Sequence, residues 1–240
     1  MTSNTLQPQT DSTAIAATRR HQLTGGTARR LAPLCAAIAI LAALAGGIAN
    51  NASAMTPAQS TSQGSVNTLI PDINNFWTAN MRGWGWLSYY RVPSVYFYNS
   101  TITACGTSLS PLNSFACSGS YIGQIYIGTG WTQSLHNTYG DYGSGVILAH
   151  EWGHEIMYDL GWTSRSGTIG SELFADCLAG MYTHYGLLVS HKLDNSDYWE
   201  GSNTLRSIAG GDHGTPDQRA AWYQWGYTQY NINSCYRALT

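Results

Sequence analysis

Charge is scarce in this sequence. Asp, Glu, Lys and Arg together make up 10% of its 240 residues. Beyond residue 54, seven basic residues face twelve acidic ones, a formal charge of −5. A mildly acidic segment with no basic stripe excludes the electrostatic footprint of a nucleic-acid binder, so no nucleic-acid partner is expected. Internal repeats are absent, and so is any low-complexity tract beyond the N-terminal leader. Tyr, Trp, Asn, Ser, Thr and Gly stand where charges are missing, a composition suited to a surface outside the cell. Cysteine is sparse as well, with five in the chain.

What is present begins with a leader. Residues 1–54 hold Arg19, Arg20, Arg29 and Arg30, then an apolar, alanine-rich run from Leu31 to Ala49, then Ala52-Ser53-Ala54. A basic segment, an apolar segment and a small-x-small site together read as a secretory signal. The rival reading is an uncleaved membrane anchor, since the run is just long enough to span a bilayer. Either way the domain is expected outside the cytoplasm, secreted or held at the cell surface by an N-terminal tether. Cys35 opens the apolar run instead of following it, so it is not read as a lipid-anchor cysteine.

Cleavage after Ala54 leaves 186 residues, enough for one domain that buries about 70% of its unfolded surface. Four cysteines remain: Cys105, Cys117, Cys177 and Cys235. An even count in an exported chain favours disulfides. Three pairings are open; the favoured one joins Cys105 to Cys117 and Cys177 to Cys235. The first closes a short loop containing Gly106 and Pro111, and the second ties the chain's end to a helix. Loops of these sizes contribute about 3 and about 4 kcal/mol.

Residues 55–70 are polar and read as a linker. The domain then spans 71–240, with a helix expected to open at Pro71 and Asp72 and to carry Ile73, Phe76 and Trp77 on one face. Ser94–Tyr98 and Gly123–Ile127 are rich in β-formers. They bracket the first cysteine pair and read as a small antiparallel sheet. From Gly145 the pattern turns helical and ends at Gly161. Further helices are expected over 171–188, with Ser171 as N-cap, over 196–209, and from Thr215-Pro216 onward. Strands followed by helices indicate an α+β fold with segregated elements.

The chemistry lies in His150-Glu-Trp-Gly-His154. On a helix, residues four apart share a face, so both imidazoles can reach one zinc ion. Glu151 is rotated about 100° from His150. It is thus held off the metal but near a metal-bound water, the arrangement of two ligands and one base. On its own the motif is equally a pair of surface histidines. The downstream residues decide. A catalytic zinc needs a third protein ligand and an open position for water. Glu172 lies 18 residues after His154, at the start of the next helix, and Asp176 follows one turn later. Glu172 is the candidate third ligand; Asp176 is placed to accept the second N–H of a ligating imidazole. H-E-x-x-H followed by E-x-x-x-D is the pattern of the gluzincin metallopeptidases. His213, beside Asp212, is a candidate for stabilising an oxyanion, or else a loop histidine at the start of the Pro216 helix. Arg219 reads as a buried ion-pair partner, and His136, His184 and His191 as structural or exposed.

These strings also resemble a known family. Ala104-Cys-Gly, Ala149-His-Glu-Trp-Gly-His154, Glu172-Leu-Phe-Ala-Asp-Cys177, His213-Gly-Thr-Pro-Asp-Gln-Arg219, Trp222, Gly226-Tyr227 and Cys235 occur in this order. They are similar to the neutral zinc metallopeptidases of bacterial exported or membrane-tethered proteins, over about Ser94–Cys235. The resemblance implies zinc, with His150, His154 and Glu172 as ligands and Glu151 as base. It also supports the same two disulfides. Trp152, Glu155-Ile156-Met157 and a shorter segment before His213 depart from the family's usual residues, which bears on substrate preference. The expectation is a gluzincin-like, monomeric zinc endopeptidase that hydrolyses protein or peptide substrates. Its rivals are a non-catalytic, metal-stabilised surface-binding module and a zinc amidase acting on a non-peptide amide.

Overall fold

The computed structural model describes residues 61–240. The expected leader and cleavage site, Cys35 and the first residues of the expected linker lie outside the described residues. Among the described residues no helix is long and apolar enough to cross a membrane.

Helix α1 (Ser62–Gly83) opens on Thr61, whose hydroxyl accepts the Gly64 N–H. The sequence pattern starts this helix at Pro71; the structure starts it at Ser62 and leaves Pro71 inside. Residues 62–70 are therefore helix, not linker. An interior proline costs about 3 kcal/mol through its missing N–H and its ring clash. Val66 and Leu69 are buried and contribute about 1.5–3 kcal/mol each. They extend the apolar stripe of Ile73, Phe76 and Trp77, and that burial outweighs the proline.

Five short strands follow: β1 (Ser94–Tyr98), β2 (Ile102–Ala104), β3 (Thr107–Leu109), β4 (Ser114–Ala116) and β5 (Gln124–Gly128). β5 is the middle strand of three, in the order β1-β5-β4. It pairs with β4 antiparallel, but with β1 parallel, from Ser94↔Gln124 to Tyr98↔Gly128. The expected antiparallel sheet is thus mixed. The connection from β1 to β5 is long enough for a parallel return, and it holds a hairpin of its own. β2 and β3 form that hairpin, with Cys105 and Gly106 both at positive φ in its two-residue turn, as a type I′ turn requires.

The rest is helical: α2 (Thr129–Tyr139), α3 (Asp141–Asp159), α4 (Gly167–Leu188), α5 (Asp197–Ser207), α6 (Pro216–Gln229) and α7 (Ile232–Cys235). The class is mixed α+β with small sheets and mostly helical content. α2 has no strong sequence signal. α4 starts at Gly167, ahead of Ser171, so Ser171 is inside the helix and caps nothing. α6 starts where expected, with a Thr215–Gln218 capping box and Pro216 in the first turn. α3 is buried along most of its length and forms the centre of the core. α4 and α6 pack backbone to backbone. A Cβ on Gly180 would lie 2.0 Å from Tyr223 O, and one on Gly226 would lie 1.8 Å from Cys177 O. Both disulfides are present, Cys105–Cys117 and Cys177–Cys235. The second fastens α7 to α4 beside that contact.

Candidate metal centre

Two helices that cross at small residues make the centre. Gly153 of α3 rests on α4, where an added Cβ would stand 3.0 Å from Ala175 Cα. This close approach sets Glu172 of α4 against the histidine face of α3. His150 Nε2 and His154 Nε2 are 3.2 Å apart. Glu172 closes the triangle, with Oε2 3.1 Å from His150 Nε2 and Oε1 3.3 Å from His154 Nε2. All three residues are buried, and their ligand atoms lie within 4.8 Å of one another.

Asp176 stands one turn beyond Glu172, and its Oδ1 accepts from His150 Nδ1 at 2.8 Å. A proton held on Nδ1 leaves the Nε2 lone pair facing the triangle. Glu172 Oε2 is buried and has no hydrogen-bond partner among the described residues. A carboxylate and two imidazole nitrogens held this close, with one carboxylate oxygen left unsatisfied, fit a divalent cation that takes nitrogen and oxygen ligands, as zinc does.

The electrostatics agree. Burial opposes charge on His150, but the hydrogen bonds and charges of Asp176 and Glu172 overcome it and push the imidazole up to about 10. Burial would likewise raise Glu172, yet the two histidines hold its carboxyl far below the ordinary range. Positive charge is therefore strongly favoured at this point of the interior, as a proton or as a metal ion. Glu151, also buried, does not join the triangle. Burial raises its carboxyl, against the lowering by His150 and His154, and the Ala116 N–H of β4 donates to it.

Asp176 has a second partner that gives Arg219 its place. The Arg219 guanidinium is fully buried and grips Asp176 with two hydrogen bonds, Nε to Oδ2 at 2.8 Å and Nη2 to Oδ1 at 2.7 Å. Burial alone would raise Asp176; Arg219 and His150 hold it low. Arg219 Nη1 also reaches the Ile208 carbonyl, at 3.4 Å. It thereby links the ligand set to the segment that carries His213. That segment ends in a short 3-10 turn, and His213 Nε2 is 3.7 Å from Glu172 Oε2. His213 is half-exposed at the rim and stands outside the triangle. His136, His184 and His191 are not brought to the centre; His184 Nδ1 bonds the Tyr227 carbonyl.

The centre opens on a cleft of about 640 Å³. β4 forms one wall with Phe115 and Ala116, α3 the floor, and the α3–α4 loop the opposite wall with Trp162. Tyr158, one turn after His154, also lines this cleft, a place the HExxH motif does not specify. Its i+4 spacing from His154 was the available signal. Burial, then Glu151, Glu172 and Glu155, push its phenol up to about 12. A second acidic group, Asp141, Asp197 and Glu200, lies away from the cleft. Glu200 Oε2 accepts the Tyr142 N–H at 3.0 Å, so this carboxylate satisfies the start of α3, where negative charge is favoured.

The uncharacterized protein YpfJ of Escherichia coli (strain K12) is 26% identical over 180 residues, covering 61% of each chain. The uncharacterized protein Rv2575 of Mycobacterium tuberculosis (strain ATCC 25618 / H37Rv) is 26% identical over 184 residues, covering 61% of this chain and 62% of its own. The chain thus spans about three fifths of the length of these relatives. No solved structure matches it. The family model described as "putative neutral zinc metallopeptidase" matches residues 41–237, which include every residue of the centre. The chain belongs to the putative neutral zinc metallopeptidase family.

Proposed function

We propose that this chain is a zinc-dependent endopeptidase of gluzincin-like design, acting on proteins or peptides outside the cytoplasm. One observation carries the reading: three buried donors converge beside a carboxylate that is not one of them, at the floor of an open cleft. Three protein donors are the number a catalytic zinc takes, whereas a closed structural site takes four. His213 approaches Glu172 but does not complete such a fourth position. The two disulfides suit an oxidising destination.

His150, His154 and Glu172 would hold the ion. Bound zinc would polarise the scissile carbonyl and make a water molecule acidic enough to attack near neutral pH. Glu151 takes the proton of the attacking water on its carboxylate as the new C–O bond forms. It then delivers that proton to the amide nitrogen as the C–N bond breaks, leaving a carboxylate and an amine. The burial that raises Glu151 makes its carboxylate a better proton acceptor than an exposed one. Asp176 keeps His150 in the tautomer that presents Nε2. His213, at the rim beside Glu172, is placed to donate to the substrate's carbonyl oxygen.

The test is Glu151→Gln. The variant should bind one zinc per chain, by elemental analysis, and cut a quenched fluorescent peptide library about 10²–10⁴-fold more slowly. Wild-type protein that holds zinc and cuts no peptide overturns the reading. So does a Glu151→Gln variant with full turnover.

A further inference from the structure

Tyr158 is held where the reaction would happen, but none of the described residues bonds its hydroxyl. It sits one turn after His154 on α3. Long side chains on a helix lean back toward the preceding turn, and this one lies over the His154 ring. The two planes are 17° apart, with centroids separated by 6.2 Å. The phenol is thereby carried toward the ligand triangle and forms part of the cleft surface with Glu151 and Glu172.

Buried tyrosine hydroxyls usually find a partner, and those buried in this protein's core do. Tyr98 Oη donates to the Ser110 and Asn113 carbonyls, Tyr182 Oη to Asp72, and Tyr223 Oη to Thr183. Among the described residues, Tyr158 Oη has none. Glu151 and Glu172, on the same cleft surface, oppose new negative charge there. A neutral O–H donor is the kind of group that can offset this without adding a charge of its own.

We propose that Tyr158 is a further catalytic residue, whose phenol donates a hydrogen bond to the scissile carbonyl oxygen as negative charge develops on it. This rests on the peptidase reading above. The role differs from that of a ring that merely steadies His154, because only the hydroxyl is needed for it. It also differs from that of His213, which reaches the site from the α5–α6 segment on the other side of Glu172.

Tyr158→Phe in the zinc-loaded full chain separates these roles, since it keeps the ring and removes the O–H. Zinc affinity, measured by competition with a chelator, should stay within twofold of wild type, showing that the ligand triangle is intact. On the best-cleaved library peptide, kcat should fall roughly 10²–10³-fold with KM little changed. A phosphinic peptide with apolar flanking side chains mimics the tetrahedral, anionic carbon. Its affinity by calorimetry should fall about tenfold or more, while a product peptide binds as before. A Tyr158→Phe protein with wild-type kcat overturns the proposal, and so does one that loses zinc. Wild-type protein that holds zinc but neither cuts peptides nor binds the phosphinic peptide overturns the peptidase reading, and this proposal with it.

Discussion

Asp176→Asn is a nearly isosteric change with two separable consequences. Asp176 accepts from His150 Nδ1 and also neutralises Arg219, both at full burial. Removing its charge takes away the guanidinium's two hydrogen-bonded carboxylate contacts and leaves it only Glu172 Oε2, 4.0 Å away, as an ion-pair partner among the described residues. Breaking a buried pair from one side costs about 3–5 kcal/mol. Removing the carboxylate behind a ligating histidine costs about 10–100-fold in metal affinity. The first effect belongs to the fold and the second to the metal, so they can be measured apart. Urea unfolding of the chelator-treated protein should show the stability loss, free of the stabilisation that bound metal adds. Competition with a chelator should show the affinity loss. The double variant Asp176→Asn/Arg219→Met removes the stranded charge. It should recover most of the stability but none of the zinc affinity. A metal-free Asp176→Asn protein as stable as wild type would refute the ion-pair argument. Full recovery of zinc affinity in the double variant would show that Asp176 acts on the metal only through Arg219.

Other expectations follow from the same geometry. Glu172→Ala removes a direct donor and should weaken zinc binding beyond the 10–100-fold of Asp176→Asn; the reverse order by chelator competition would reassign the third ligand. Unfolding of the Cys177→Ala/Cys235→Ala protein in urea should show a loss of about 4 kcal/mol for the loop it opens, and an unchanged midpoint would count against that bridge as a structural tie. Asp197 is pushed up to about 8, by burial first and then by Glu200, Asp141 and Asp194. An acid raised by folding binds its proton more tightly in the native state, so its contribution is present below the unfolded value near 4 and is lost as pH climbs through 8. Stability should therefore fall as pH rises over that window, and Asp197→Asn should flatten the decline. A slope unaffected by the substitution would place the titration elsewhere.

The convergence of His150, His154 and Glu172 was legible because its rule is local. An i, i+4 pair on one helix and a carboxylate on the next need only helix geometry and a short return. The start of α6 at Thr215-Pro216 was legible for the same reason; the two disulfides were favoured among three open pairings, and no local rule joins Cys177 to Cys235, 58 residues apart. What escaped depended on contacts between distant segments. Pro71 marks a helix start by local chemistry, but α1 runs through it because Val66 and Leu69 find the core. β1 and β5 look like any two strands flanking a hairpin, and only the course of the chain between them makes them parallel. Arg219 was recognisable as an ion-pair residue. Its partner, 43 residues away in sequence, was not, because nothing in the pattern says which face of α6 meets α4.

That face is set by glycines whose reason is invisible in the sequence. At Gly180 and Gly226 a single methyl group would collide with backbone oxygen of the facing helix. Nothing larger than hydrogen fits there, so α4 and α6 meet at a closer distance than side-chain packing allows. At that distance a guanidinium on the first turns of α6 reaches a carboxylate on α4 through two hydrogen bonds, with no room for water between them. Gly153 does the same between α3 and α4, and so sets how near Glu172 comes to the histidines. The donors of the centre are thus named by a short motif, but their convergence depends on Gly153 between α3 and α4, and the Asp176–Arg219 pair behind them on Gly180 and Gly226 between α4 and α6. Substituting those glycines would move the ligands without altering one of them, which is why the motif alone predicts the chemistry better than it predicts the strength of the site.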